Sequence, residues 1–117
     1  MFTLYGIPNC NSIKKAKVWL DENGIEYVFH DYKKKGISPE KLANWTNQVS
    51  WNQLVNKAGT TWKKLTPEVK ESIIDAGAAE KLMFEQNSVI KRPVLENNSG
   101  EIVSVGFSES DYQTKLK

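Results

Sequence analysis

Residues 2–31 read FTLYGIPNCNSIKKAKVWLDENGIEYVFHD, and the change of period inside this stretch decides the fold. Phe2 to Tyr5 is short, apolar and partly aromatic, the pattern of a buried strand. Gly6, Pro8 and Asn9 interrupt it. From Asn11 the spacing turns helical. Ile13, Ala16 and Leu20 share one stripe, and Lys14, Lys15, Lys17 and Asp21 fall largely outside it. Asn23-Gly24 stops this helix, with Gly24 suited to the left-handed cap position. Ile25 to Asp31 is β-rich and apolar on both faces, which fits an interior or parallel strand. Strand, helix and strand in this order form a βαβ unit, whose crossover is right-handed.

Beyond it, the Lys33–Gly36 run KKKG reads as a solvated loop. Ser38-Pro39-Glu40 is an N-cap followed by proline at the first helical position, and Leu42, Trp45 and Val49 form that helix's apolar stripe. A short helix over Trp51 to Lys57 follows, closing near Gly59. Thr66-Pro67-Glu68 repeats the cap and proline. Val69, Ile73 and Ile74 give the next helix its apolar face, and Gly77 ends it. Ala78 to Gln86 reads as one more short helix around Leu82 and Met83. The period then returns to two. Ile90, Val94 and Leu95 flank Lys91-Arg92-Pro93, Asn97-Asn98-Ser99-Gly100 is turn chemistry, and Glu101 to Val105 alternates, which together predict a β-hairpin. Ser108, with Asp111 three residues on, caps a final short helix.

The chain has 117 residues, 39% of them hydrophobic and 26% charged, as expected of one globular domain rather than a disordered chain. Sixteen basic against 14 acidic residues leave a net charge of +2, too little to point to direct nucleic-acid binding or to a membrane surface. No apolar run approaches the ~20 residues of a membrane span, and MFTLYGIPN lacks the basic and apolar regions of a signal peptide. The single cysteine excludes an internal disulfide. A cytoplasmic location, where a thiol stays reduced, is therefore expected.

That cysteine, Cys10, falls just before or at the first turn of the first helix. Unpaired N–H groups and the positive end of the helix dipole gather there and favour thiolate over thiol. Lys14 would add to this if it folds back toward the helix start. A thiolate so placed is a nucleophile; the alternative is a small buried hydrophobe. Ser12, on the same turn, would either donate to the thiolate or serve the helix start. His30, the only histidine, falls at the far end of the second strand and reads as structural, since one ligand makes no metal site. Of Trp19, Trp45, Trp51 and Trp62, the last three read as filling a small helical core.

YGIPNCNSIKKAKVWLDENGIEY, GTTWKKL (59–65), IKRPVLE (90–96) and GFSESDY (106–112) together resemble the arsenate reductase (ArsC-like) family, in its Spx/YffB branch. The likeness covers nearly the whole chain. It implies one α/β domain of thioredoxin-like fold over residues 1–117, with a central mixed sheet of about four strands and a helical insertion at about 38–87. It implies a cis bond between Arg92 and Pro93, with Arg92 beside Cys10 supporting the thiolate. The implied site is Cys10 and Arg92 as catalytic groups, with Asn9, Asn11, Ser12, Lys14 and Pro93 contacting the substrate. No metal and no bound cofactor are expected.

The sequence departs from the family at three places. A C-x-x-C dithiol would need a cysteine at position 13, which is Ile13. Of the three arginines that bind the oxyanion in true arsenate reductases only Arg92 is matched; the other two positions fall near Asn56 and Gly106. The Asn56–Gly59 segment offers Lys57 where the branch carries arginine. The expected function is a monothiol oxidoreductase with glutathione as co-substrate, or with a glutaredoxin-type thiol donor. The alternative is a non-catalytic protein partner like the Spx regulators, which contact RNA polymerase; arsenate reduction comes third. The chain is expected to act as a monomer.

Overall fold

The computed structural model describes residues 1–117. It divides into two compact units, Met1–Lys35 with Arg92–Lys117, and Gly36–Lys91.

The first unit is built on strand β1 (Phe2–Gly6), which lies inside a four-stranded sheet. Helix α1 (Asn11–Glu22) follows it, then β2 (Tyr27–Asp31) and a single helical turn α2 (Tyr32–Lys35). The other two strands come from the end of the chain. Numbering the elements of the second unit α3 to α7, these are β3 (Val94–Glu96) and β4 (Ile102–Val105), followed by α8 (Glu109–Leu116). The sheet order is β2-β1-β3-β4. β1 runs parallel to β2, with Leu4 opposite Phe29, and antiparallel to β3, with Leu4 opposite Leu95. β3 and β4 form the expected hairpin, and Asn97 Oδ1 accepts from the N–H groups of Ser99 and Glu101 in its turn. This is the mixed α/β sheet of a thioredoxin-like fold.

Strand alternation sorts the two faces of the sheet. Leu4 and Leu95 turn toward α1 and α8, where Ala16, Trp19, Leu20 and Tyr112 complete a buried cluster. The Trp19 and Tyr112 rings meet edge to face, 5.5 Å between centroids. Ser108 caps α8 by accepting from the Asp111 N–H at 3.3 Å. Tyr5, His30 and Glu96 lie on the opposite face.

The second unit is helical: α3 (Pro39–Gln48), α4 (Trp51–Leu54), α5 (Thr60–Lys63), α6 (Pro67–Ser72) and α7 (Ala76–Glu85), then a 3₁₀ turn over Asn87–Val89. Ser38 and Thr66 cap α3 and α6 as their spacing predicts. Leu42, Trp45, Leu82 and Met83 are buried, and Thr46 Oγ1 donates to Glu80 Oε2 at 2.8 Å, joining α3 to α7.

Several local expectations are corrected. The second strand is parallel but forms the sheet's edge, and Val28 is half exposed. The lysine run is α2 rather than a loop: Asp31 Oδ1 accepts from Lys33 N–H at 2.8 Å, and Gly36 ends the turn at φ 64°. The helix from Trp51 stops at Leu54, because Val55 bridges to Ile90 and the Leu54 carbonyl accepts from Lys91 N–H at 2.7 Å. That bridge also takes Ile90 out of the hairpin. α6 ends at Ser72, so Ile74 falls outside the helix and is 77% exposed. Gly77 ends nothing: Asp75 accepts from Ala78 N–H at 2.8 Å and starts α7 ahead of it. Trp51 and Trp62 are only half-buried. The Lys57 ammonium sits 5.3 and 5.4 Å from their ring centroids, a cation–π arrangement in place of a dry core.

Gly6 ends β1 where the chain turns toward α1. A Cβ there would overlap Ile13 Cδ1 and lie 2.9 Å from Ile13 Cγ1, and Ile13 is fully buried. Gly6→Ala should cost about 1–3 kcal/mol in urea unfolding. Because Ile13→Val removes the nearest clashing atom, the double variant should be less destabilised than the sum of the two single changes.

Candidate functional site

Cys10 is the N-cap of α1, with extended backbone angles (φ −133°, ψ 129°) and no side-chain cap of its own. Its carbonyl accepts the first helical bond, from Lys14 N–H at 3.0 Å. The side chain is half-buried and the thiol is free. Three groups favour its thiolate: the backbone N–H groups of Ile13 and Ser12 and the side chain of Arg92. Partial burial pushes the thiol up, and it is the largest single effect. The Ile13 N–H, the Arg92 hydrogen bond, the Ser12 N–H and the Arg92 charge together outweigh it, so the pKa falls below that of an ordinary cysteine. The acidic side chains of the first turn that would oppose this are absent.

Arg92 reaches the thiol because β3 pairs with β1. Tyr5 lies opposite Val94, so the residues just before β3 meet the loop just after β1. The Arg92-Pro93 bond is cis, as the resemblance implies. Pro93 is buried, has no N–H, and its carbonyl accepts from Gly106 N–H at 2.8 Å. Pro93 itself therefore has no donor to offer the thiol, and of this turn it is Arg92 that acts on Cys10.

The other expected contact residues separate. Asn9, Asn11 and Lys14 are exposed and Ser12 half-buried. Ser12 favours the thiolate through its backbone N–H, and Lys14 is not among the groups that lower the thiol. Ser12 and Lys14 instead open a groove of about 620 Å³ that runs along α1 to the start of α8, with Lys15, Trp19, Phe107 and Ser108 among its walls. Only the first part of that groove was legible in sequence, since Phe107 and Ser108 come to α1 through the sheet. His30 packs its ring 4.8 Å from that of Tyr5, and no cluster of three or more potential metal ligands exists in the chain.

The two positions where the arginines of arsenate reductases would stand supply no cation. Asn56 Oδ1 accepts from Ala58 N–H at 3.2 Å, and Gly106 holds a positive φ of 82°.

A model of the ArsC family matches residues 5–115. The chain belongs to the ArsC family. It is 42% identical to the solved YFFB protein, with a TM-score of 0.91 and full coverage of both chains. It is 39% identical to an uncharacterized protein of Haemophilus influenzae, over 97% of this chain and 96% of that one. It is 22% identical to the global transcriptional regulator Spx of Streptococcus agalactiae, over 99% of this chain and 83% of the regulator. No helix is long and apolar enough to cross a membrane.

The three donors make a quantitative expectation. Alkylation of Cys10 by iodoacetamide, followed against pH, should give a midpoint below the ~8.5 of free cysteine. Arg92→Ala should move that midpoint up and Arg92→Lys less so, because lysine keeps the charge without the planar fork.

Proposed function

We propose that this protein is a monothiol oxidoreductase in which Cys10 attacks a disulfide and an external thiol, glutathione or a glutaredoxin-type donor, completes the cycle. The reading is carried by the placement of a free, half-buried Cys10 at the N-cap of α1, where the helix-start N–H groups and Arg92 lower its pKa. The Cys10 thiolate attacks one sulfur of a substrate disulfide; a Cys10 mixed disulfide forms and the other sulfur leaves as a thiolate, which takes a proton from water. A first external thiolate then attacks the substrate sulfur of the mixed disulfide, frees Cys10 as thiolate and carries that sulfur off in a new mixed disulfide, from which a second external thiolate displaces the substrate thiolate. The two electrons come from two external thiols, which end as one disulfide. Ile13 stands where a resolving cysteine would be, so the chain cannot close its own disulfide. Such a cycle needs a reducing compartment, which makes the cytoplasm the proposed location, and a single-thiol site is complete in a monomer.

A second reading, a non-catalytic regulatory interaction protein, is supported by the likeness to Spx along almost the whole chain. Arsenate reduction stands third. A tetrahedral oxyanion needs several charge-assisted donors to replace its water, and Asn56 and Gly106 offer no charge.

The test is glutathione-coupled reduction of a small mixed disulfide such as that of 2-mercaptoethanol with glutathione. Wild-type protein should trap one glutathione per chain, visible by intact mass, and turn over. Cys10→Ser should lose both, and Arg92→Ala should slow the trapping several-fold at pH 6–7, because less of the thiol is ionised. Wild-type protein that traps no glutathione, together with a Cys10→Ser variant that keeps full function in cells, would favour the regulatory reading.

A further inference from the structure

The groove along α1 carries chemistry that the attack by Cys10 does not use. Ser12 and Lys14 line its beginning. Both belong to the turn that Cys10 caps, and Lys14 N–H donates to the Cys10 carbonyl at 3.0 Å. Farther along the helix the lining is Val18 and Trp19, with Phe107 from the segment before α8. Val18 is 54% exposed, on a helix whose Ile13, Ala16, Trp19 and Leu20 are all buried. The Trp19 and Phe107 rings both meet Tyr112 edge to face, at 5.5 and 4.8 Å between centroids. The core therefore holds this apolar stretch in place.

The charges of the groove are ordered along α1. Lys14 and Lys15 lie toward its start, and Glu22 is its last residue. The helix dipole favours the reverse order, and α1 has no acid in its first turn and no base in its last. Helix stability therefore gives no reason for this order. Lys14, Lys15 and Glu22 have no ion-pair partner within the chain. Glu109, which also lines the groove, has a local reason: it stands in the first turn of α8, where the dipole favours an acid. Two unmatched cations thus lie beside the thiol's turn, and an exposed apolar stretch follows them.

We propose that this groove docks the polypeptide around the disulfide that Cys10 attacks. The substrate is then a peptide or protein disulfide with an acidic residue next to the reacting cysteine and a large apolar residue about four positions from it. The inference rests on the reading of Cys10 as a redox nucleophile. At ~1.5 Å per residue, Val18 and Trp19 lie about 12–14 Å along α1 from Cys10. An extended chain covers that length in about four residues. The acid meets Lys14 and Lys15, and the apolar side chain covers Val18 between Trp19 and Phe107. Glutathione offers carboxylates to the lysines but no large apolar side chain for the stretch beyond them.

The test uses mixed disulfides of 2-nitro-5-thiobenzoate with short peptides and with 2-mercaptoethanol. The Cys10 thiolate attacks the peptide sulfur, the S–S bond of the probe breaks, and the coloured thiolate that leaves is followed by absorbance. The peptides are Cys-Glu-Ala-Ala-Leu, the same with Lys for Glu, and the same with Ala for Leu, each made in both chain directions. In one direction the Glu and Leu peptide should react about threefold or more faster than either control, relative to the 2-mercaptoethanol probe, the scale of exposed contacts. The advantage of Glu over Lys should shrink as salt is raised. Lys15→Glu should abolish the preference for Glu, and Val18→Glu the preference for Leu. Both positions are exposed on the helix, so the variants should fold. Equal rates for all peptides overturn the proposal, and so does a preference that survives its own variant. A Cys10 that releases thiolate from no probe strikes at the nucleophile reading and takes this inference with it. A Cys10 that reacts with the 2-mercaptoethanol probe but treats the peptides alike overturns this inference alone.

Discussion

Everything at the site depends on the antiparallel pairing of β1 with β3, which sets Tyr5 against Val94 across some ninety residues of chain. The loop that leaves β1 ends in Cys10, and the turn that enters β3 begins at Arg92. Cys10 has the N–H groups of its own helix start nearby in sequence, but its charged partner, Arg92, comes only through the ladder. The same pairing places Leu4 against Leu95 on one face and aligns Tyr5 with Glu96 on the other. Core and site are thus fixed by one register. A slip of a single residue would turn Leu95 and Glu96 over together and destroy both.

The thiol's environment is a balance rather than a single effect. Burial works against the thiolate and is the largest contribution, so a deeper cysteine would be a poorer nucleophile. The helix start supplies donors that need no side chain, and these work because Cys10 is the cap residue itself, whose Sγ can face the open N–H groups of its own first turn. Arg92 adds a charge that stays on at any working pH. The sulfur itself is half-buried, which keeps the opposing effect of burial partial.

Local chemistry was legible wherever one residue governs the backbone. Ser38-Pro39, Thr66-Pro67 and Ser108 mark helix starts because a cap and a fixed φ act within three residues. The β-α-β order, the hairpin turn and the position of Cys10 were legible for the same reason. The misreadings share a different cause. Val69, Ile73 and Ile74 look like one helical face, but a new cap at Asp75 reset the register. Val55 and Ile90 were assigned to a helix and a hairpin, but they bridge to each other across 35 positions. Nothing local in the sequence marks Tyr32 or Glu96, because their burial is set by contacts with β1, ninety residues from Glu96. Only the fold reveals that the position is buried.

The lone thiol gives the family's architecture a particular meaning in this chain. A second cysteine at position 13 would store oxidising equivalents within the protein. Ile13 is instead packed fully inside, against the backbone of Gly6, so the space a resolving thiol would need is core. Ile13 is therefore structural: it anchors the first turn of α1, at the position where a C-x-x-C pair would carry its second thiol. What remains is a rigid N–H cradle, one sulfur and one arginine. On the proposed reading, a mixed disulfide at Cys10 is resolved only by a thiol from outside, because no other cysteine exists in the chain to attack it.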